Sequence, residues 1–265
     1  MNRIDNLFEN KQSGITSVYY PAGFPQRDDT LVVLAELESK GVDLVELGIP
    51  FSDPMADGVV IQEAATQALR NGMSVRLLFE QLEALRPAIT IPVVLMGYLN
   101  PIMHYGFEAF CEACRRVGVD GLIIPDLPFQ EYMDHYKATA ERYGIKMIMF
   151  ITPETSDERI RLVDSHTSGF IYMVSVAGTT GEQSSFDAQQ SYFERIEAMT
   201  LRHPRLIGFG ISNYATFAAA CRHAQGAIVG SHFVRLLATH PSISSAVDTL
   251  MTELIDATPN AVEEI

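Results

Sequence analysis

Eight short runs of apolar and β-branched residues recur along the chain, each followed by a stretch of helical periodicity, and this alternation restricts the fold more than any other feature. The runs are Ile15 to Tyr20, Leu44 to Leu47, Pro92 to Met96, Gly121 to Ile124, Met147 to Ile151, Phe170 to Val174, Leu206 to Gly208 and Ala227 to Val229. Helical spacing follows at Asp28 to Lys40, where Leu31, Leu34 and Ala35 share a face, then at Gln62 to Asn71 and Ser74 to Leu85. It returns at Glu108 to Val117, Glu131 to Tyr143, Asp157 to Asp164, Gln190 to Met199 and Tyr214 to Arg222, with a further helical region at the end. Runs apolar on both faces are strands covered on both sides, as parallel sheets require. Eight such units in about 250 residues, with no linker between them, predict an α/β fold. It is expected to be a single-domain (β/α)8 TIM barrel spanning residues 1–265, with an open doubly wound sheet as the alternative. Residues 1–12, with Ile4, Leu7 and Phe8 on one side, predict a short extra N-terminal helix.

The segments after the strands are rich in Gly, Pro, Asp, Ser and Thr, whereas the return turns, such as residues 88–90 and 119–120, are short. In barrels the chemistry sits where strands end and helices begin. The stretch Val45-Glu-Leu-Gly-Ile-Pro-Phe-Ser-Asp-Pro-Met-Ala-Asp-Gly58 is the clearest case. Glu46 stands in an otherwise apolar strand, where a carboxylate is costly unless paired, neutralised or facing a polar cavity. Its pKa is expected to move up, toward the range in which one carboxyl can both give and take a proton near neutral pH. Asp57 in the following loop would make the second member of an acid/base pair of unlike environments. Asp53 and Asp57 also fit plain turn and helix-cap chemistry.

Composition narrows the function. The chain carries 33 acidic against 19 basic residues and no useful Lys/Arg cluster, which argues against a nucleic-acid surface. No apolar run approaches membrane-spanning length and the amino end has no apolar leader segment, so the expected location is the cytoplasm. Three cysteines fit a reducing compartment, and Cys111 and Cys114, one turn apart on a helical stretch, read as core residues rather than as a redox or metal pair.

Two glycine turns, Gly208-Phe209-Gly210-Ile211-Ser212 and Gly230-Ser231, end the last two strands, the usual barrel position for a phosphate. Neither turn contains Lys or Arg, so an anion there is expected to rest on backbone donors and helix dipoles. Gly181 and Thr180 in the sixth loop are candidates to complete that cradle on closing. The four lysines, 11, 40, 137 and 146, offer no Schiff base, since only Lys146 is near a strand and it lies at the wrong end. The seven histidines show no ligand-pair spacing, so no metal site is expected; His232, beside the phosphate turn, is the one to watch. A reaction built from carboxylates alone needs a substrate that supplies its own electron sink.

From Val45 to Gly58 the chain closely resembles the tryptophan synthase α subunit family, and the likeness continues through Met96 to Pro101, Val176 to Gly181, 208–212 and 230–231. The resemblance implies a lyase that cleaves indole-3-glycerol phosphate to indole and glyceraldehyde 3-phosphate, with the indole ring as electron sink. It implies Glu46 as acid/base and Asp57 as the carboxylate that holds the indole N–H. Gly181, Gly210, Gly230 and Ser231 would bind phosphate, and Thr180 would be the lid residue that orders Asp57. Tyr19, Met96, Tyr98, Phe150, Tyr172 and Phe209 would wall the indole pocket. It further implies no cofactor in this chain and a β subunit carrying pyridoxal phosphate, contacted near Asp53 and Pro128 in an α2β2 heterotetramer. Tyr19 stands where the family often has Phe, Phe24 where it commonly has Asp, and Pro125 where some members have a small residue. Two other readings stay open: a weakly catalytic barrel kept to activate a β partner, and another phosphate-binding isomerase.

Overall fold

The computed structural model describes residues 1–85, 88–175, 186–208 and 210–255. The chain opens with α1 (Arg3–Asn10) and β1 (Ile15–Pro21), then α2 (Thr30–Ser39) and β2 (Leu44–Gly48). Two helices, α3 (Val59–Arg70) and α4 (Val75–Leu85), lead to β3 (Val93–Met96), and two more, α5 (Leu99–Tyr105) and α6 (Phe107–Val117), lead to β4 (Gly121–Ile123). A continuous helical segment follows, made of α7 (Phe129–Glu131), a π turn (Tyr132–Tyr136) and α8 (Lys137–Tyr143), before β5 (Lys146–Ile151). Next come α9 (Asp157–His166), β6 (Ile171–Val174), α10 (Phe186–Ala198), β7 (Arg205–Gly208), α11 (Tyr214–Cys221), β8 (Gly226–Val229), α12 (Ser231–Thr239) and α13 (Ile243–Ile255).

The eight strands are parallel, pair in chain order and close into a barrel, with β8 returning to β1 in the register Ile15↔Gly226 through Val18↔Val229. Each strand faces two apolar environments. Leu44, Val94, Ile123, Ile148, Leu206 and Ile228 meet inside the barrel, while their neighbours Val45, Leu47, Val93, Leu95 and Leu122 pack outward under the helices. This double burial is why the strands read as apolar runs rather than as an alternating pattern.

The N-terminal helix closes the end of the barrel opposite the strand termini. Ile4 is fully buried with the inner cluster, close enough to Gly121 and Gly169 that a Cβ at either position would come within 3.1 Å of it. Phe8 meets the Phe170 ring at 5.9 Å. Polar ties hold α1 there: Arg3 pairs with Asp120 at 2.7 Å, and Asp5 with Lys146 at 2.8 Å. Lys146 is thus engaged at the far end from the strand termini, as its place at the start of β5 predicts. Burying an Ile side chain in this way contributes roughly 2–3 kcal/mol.

Most element ends shift by a residue or two from the sequence reading, but α3 starts at Val59 rather than Gln62 and α10 at Phe186 rather than Gln190, and one helix is new. The sequence reads 97–101 as a loop because it contains Gly and an Asn-Pro pair, yet α5 starts at Leu99. Pro101 falls in the first turn, where its missing N–H costs nothing. Gly106, at φ 91, then separates α5 from α6 with a backbone turn that other residues adopt only at a cost. Cys111 and Cys114 are buried free thiols on the core face of α6, as expected.

Candidate active site

Three described carboxylates, those of Asp120, Asp164 and Glu46, are buried, and their surroundings differ. Asp120 accepts from the backbone N–H of Val93 at 2.9 Å and from Arg3. Asp164 accepts from the N–H groups of Arg202 and His203; burial pushes its carboxyl up, but those donors outweigh it and hold it below the ordinary value. Both acids spend their oxygens on the chain's own backbone at the end of the barrel near α1 and the strand starts.

Glu46 is different. It is 0 % exposed in the middle of β2, an inward position between Leu44 and Gly48. The Ser17 hydroxyl donates to its Oε1 at 2.9 Å, while Oε2 has no hydrogen-bond partner. Burial pushes the carboxyl up to about 8, with the Ser17 bond pulling the other way. A buried carboxyl with one free oxygen is therefore protonated at neutral pH and available as a proton donor.

A cavity of about 310 Å3 opens at the strand ends above it. Tyr19, Met96, Tyr172, Asp57, Ile61 and Ile228 form one part of its wall, and Gly210, Ser212, Gly230 and Ser231 another. Glu46 is not itself among the residues of that wall. Tyr19 is its register partner on β1, and the hydroxyls of Tyr19 and Tyr172 are both driven up by burial and by the charges of Glu46 and Asp57. Two inward glycines leave room for these rings: a Cβ on Gly48 would come within 2.3 Å of the Tyr19 hydroxyl, and one on Gly208 would come within 2.2 Å of the Tyr172 hydroxyl.

Asp57 is positioned by Tyr98. The Tyr98 hydroxyl accepts from the Ala56 N–H at 2.9 Å and donates to Asp57 Oδ2 at 3.0 Å, so one phenol fixes the second half of the β2–α3 loop. Burial holds the Asp57 carboxyl above its ordinary value, opposed by that hydrogen bond. Asp57 lines the cavity, whereas Asp53 is exposed and accepts from the Ser52 hydroxyl at 2.5 Å.

The remaining expected site residues divide. Met96, Tyr19 and Tyr172 reach the cavity, as do Gly210, Gly230 and Ser231. Tyr98 and Phe150 do not; Tyr98 acts through the loop, and the Phe150 ring packs 4.7 Å from Tyr172 and backs it. Pro128 is exposed, beyond the end of β4. Thr180, Gly181 and Phe209, and with them the expected closing part of the sixth loop, lie outside the described residues. Ser17 went unnoticed in the sequence, though its place two residues before Tyr19 puts both on the inner face of β1. Among the described residues no three His, Cys, Asp or Glu side chains converge as metal ligands.

The two last turns are not equivalent. The start of α11 is already capped, by Asn213 and Thr216 in a reciprocal box, with Ser212 N–H donating to the Thr216 hydroxyl. The start of α12 has Gly230 as its cap and no side chain to occupy its N–H groups, which leaves them for an anion.

Comparison with known proteins agrees with this arrangement. A profile described as "Tryptophan synthase alpha chain" matches residues 6–260. The chain belongs to the tryptophan synthase alpha chain family. The alpha chain of Parabacteroides distasonis is 62% identical over 255 residues, covering 96% of this chain and 99% of that one. The alpha chain of Bacteroides fragilis is 58% identical over 251 residues, covering 94% and 95%. Among solved structures, the alpha subunit from Legionella pneumophila superposes with a TM-score of 0.86 at 31% identity, covering 96% of this chain and 97% of that one. A chain of the tryptophan synthase complex from Pyrococcus furiosus gives 0.82 at 32% identity, covering 92% and 98%. The closed eight-stranded barrel is thus the family's fold, and the lyase reaction is the family's α reaction.

Proposed function

We propose that Glu46 and Asp57 carry the cleavage of indole-3-glycerol phosphate to indole and glyceraldehyde 3-phosphate. The observation that carries this reading is the buried, half-unpaired carboxyl of Glu46 behind an aromatic-walled cavity that ends at an uncapped helix start.

In this mechanism the protonated Glu46 gives its proton to C3 of the indole ring, making a cationic indolenine. Asp57, ionised, holds the ring N–H and stabilises the positive charge that develops beside it. Glu46, now a carboxylate, takes the proton of the glycerol hydroxyl next to the ring. As that O–H bond becomes a carbonyl, the carbon–carbon bond breaks and its electrons return to the indole. The acid ends the turnover protonated, as it began, so a group poised near neutral pH serves both steps. Tyr19, Met96 and Tyr172 supply a flat apolar wall, and Gly210, Gly230 and Ser231 take the phosphate. Gly181 and Phe209 are assigned to the same cradle and wall, and Thr180 to ordering Asp57, on the family resemblance.

Asp57→Asn tests the second role. The amide still accepts from Tyr98 but carries no charge against the indolenine, so kcat is expected to fall by roughly 100-fold or more with a smaller change in KM. Unchanged turnover would remove Asp57 from the chemistry.

The product indole calls for an acceptor, and a β subunit using pyridoxal phosphate to join indole to serine fits that need; no cofactor is assigned to this chain. The rim supports a partner there: Met55 is 93 % exposed and Val59 also stands out in solvent, both between Asp53 and the start of α3, with Pro128 exposed on the next loop but one. An α2β2 heterotetramer is the proposed assembly. No helix among the described residues is long and apolar enough to cross a membrane. The three free thiols fit the cytoplasm as the working compartment. Residues 1–265 are proposed to act as one barrel unit, since α1 plugs one end and α13 packs against α2, α11 and α12.

A further inference from the structure

The sequence places no Lys or Arg in the two phosphate turns, yet the cavity wall includes a cation from one turn further along α12. Arg235 lines the cavity with Gly230 and Ser231, and His232 lies between them on the same wall. Ser231 and Arg235 are four residues apart in one helix, hence on one face. Helical side chains lean toward the helix N-terminus, so the long Arg235 stem folds back over the first turn toward the Gly230 N-cap.

Arg235 is also uncommitted. Among the described residues it has no carboxylate partner, although Arg3, Lys11, Lys40, Arg142 and Lys146 are each paired within 3 Å. Other arginines also stand without a carboxylate partner; what sets Arg235 apart is its place on the wall that Gly230 and Ser231 share. On the neighbouring helix α13, Glu253 Oε2 meets His232 Nε2 at 2.5 Å, with both side chains about one-fifth exposed. That pair ties the imidazole to α13 and commits the Glu253 carboxylate to it.

A helix N-terminus offers only about half a unit of positive charge, too little to balance a phosphate monoester dianion. A guanidinium supplies a full charge and two parallel N–H groups that match phosphate oxygens. We propose that Arg235 is the charged member of the phosphate subsite. It closes over the phosphate from the α12 side while the Gly230–Ser231 backbone holds it from below, and Glu253 positions His232 beside it. The inference rests on the reading of the substrate as a phosphate ester and adds to the backbone cradle a side chain that sets preference for that group.

The test compares the full chain with Arg235→Met and Arg235→Lys, measuring indole release, inhibition by inorganic phosphate and equilibrium binding of indole alone. Arg235 is exposed and caps nothing, so both variants are expected to fold. In Arg235→Met, KM for indole-3-glycerol phosphate and the inhibition constant of inorganic phosphate should both rise roughly tenfold to thirtyfold. The turnover number and the affinity for indole should stay within about threefold, and Arg235→Lys should recover part of the loss. A KM and a phosphate inhibition constant within twofold of the parent, in a parent that does release indole, would overturn this proposal and leave the reaction assignment standing. A parent that releases no indole would overturn the substrate reading and this subsite with it.

Discussion

Glu46→Gln is expected to reduce indole release by roughly 1,000-fold, the scale of a general acid/base contribution, and to make the protein more stable at the same time. The amide has almost the same shape and can still accept the Ser17 hydroxyl, but it has no proton to give to a carbon atom. The stability gain follows from the raised carboxyl. Unfolded Glu ionises at 4.5 and the folded group at about 8, so between those values the folded chain holds a proton that the unfolded chain has released. The parent therefore loses stability as pH rises through that window, and the loss levels off above about 8. Gln carries no such cost. The variant should gain a few kcal/mol at pH 8–9 and nothing below about 4.5, as read by urea unfolding at several pH values. Parent activity should fall above about pH 8 as the acid is lost, and on the acidic side as Asp57 takes up its proton. A Gln variant that kept its activity would remove Glu46 from the chemistry, and one less stable at pH 9 would contradict the buried neutral acid.

Gly226→Ala is expected to be the most damaging single-methyl change outside the site. Gly226 lies where β8 meets β1, opposite Ile15, and an added Cβ would stand 2.0 Å from the Ile15 carbonyl oxygen and 2.7 Å from its carbonyl carbon. The obstacle is backbone, which cannot rotate away as a side-chain tip can. The barrel seam must therefore open or the strand slide, at a cost of about 3 kcal/mol or more. Gly144→Ala is the control. Nothing lies within 4 Å of its Cβ position, and only its φ of 72 resists the change, so about 1 kcal/mol is expected. Equal midpoints of urea unfolding for the two variants would mean that the seam tolerates the methyl and that strand closure at Gly226 is looser than its geometry.

The barrel was legible because parallel strands covered on both faces leave an unbroken apolar trace, and Leu44, Val45 and Leu47 keep that trace even around Glu46. The α1 plug could be read from Ile4, Leu7 and Phe8, which share a face in a segment otherwise polar. Glu46 stood out for the same reason that it is functional: a carboxyl in such a strand has no cheap structural use. Other parts of the site depended on geometry that local pattern does not encode. Tyr98 reads as a pocket residue, yet it grips the Asp57 loop from the start of a helix hidden by Asn100 and Pro101. Gly48 and Gly208 look like ordinary strand-end glycines, and only the folded barrel brings a tyrosine hydroxyl against each. Arg235 carries no local signal of this kind, because it stands outside both glycine turns and joins the cavity wall only from a turn further along α12.

The whole reaction turns on a buried Glu46 carboxyl that is protonated at neutral pH. Its titration can be followed directly by carbon-13 NMR on chain labelled at glutamate side chains, with Glu46→Gln identifying the resonance. A midpoint near 8 is expected, moving higher in Ser17→Ala as the hydroxyl bond to the charged form is lost. A midpoint near the ordinary 4.5 would mean a carboxylate already ionised at neutral pH, with no proton to deliver to the indole ring.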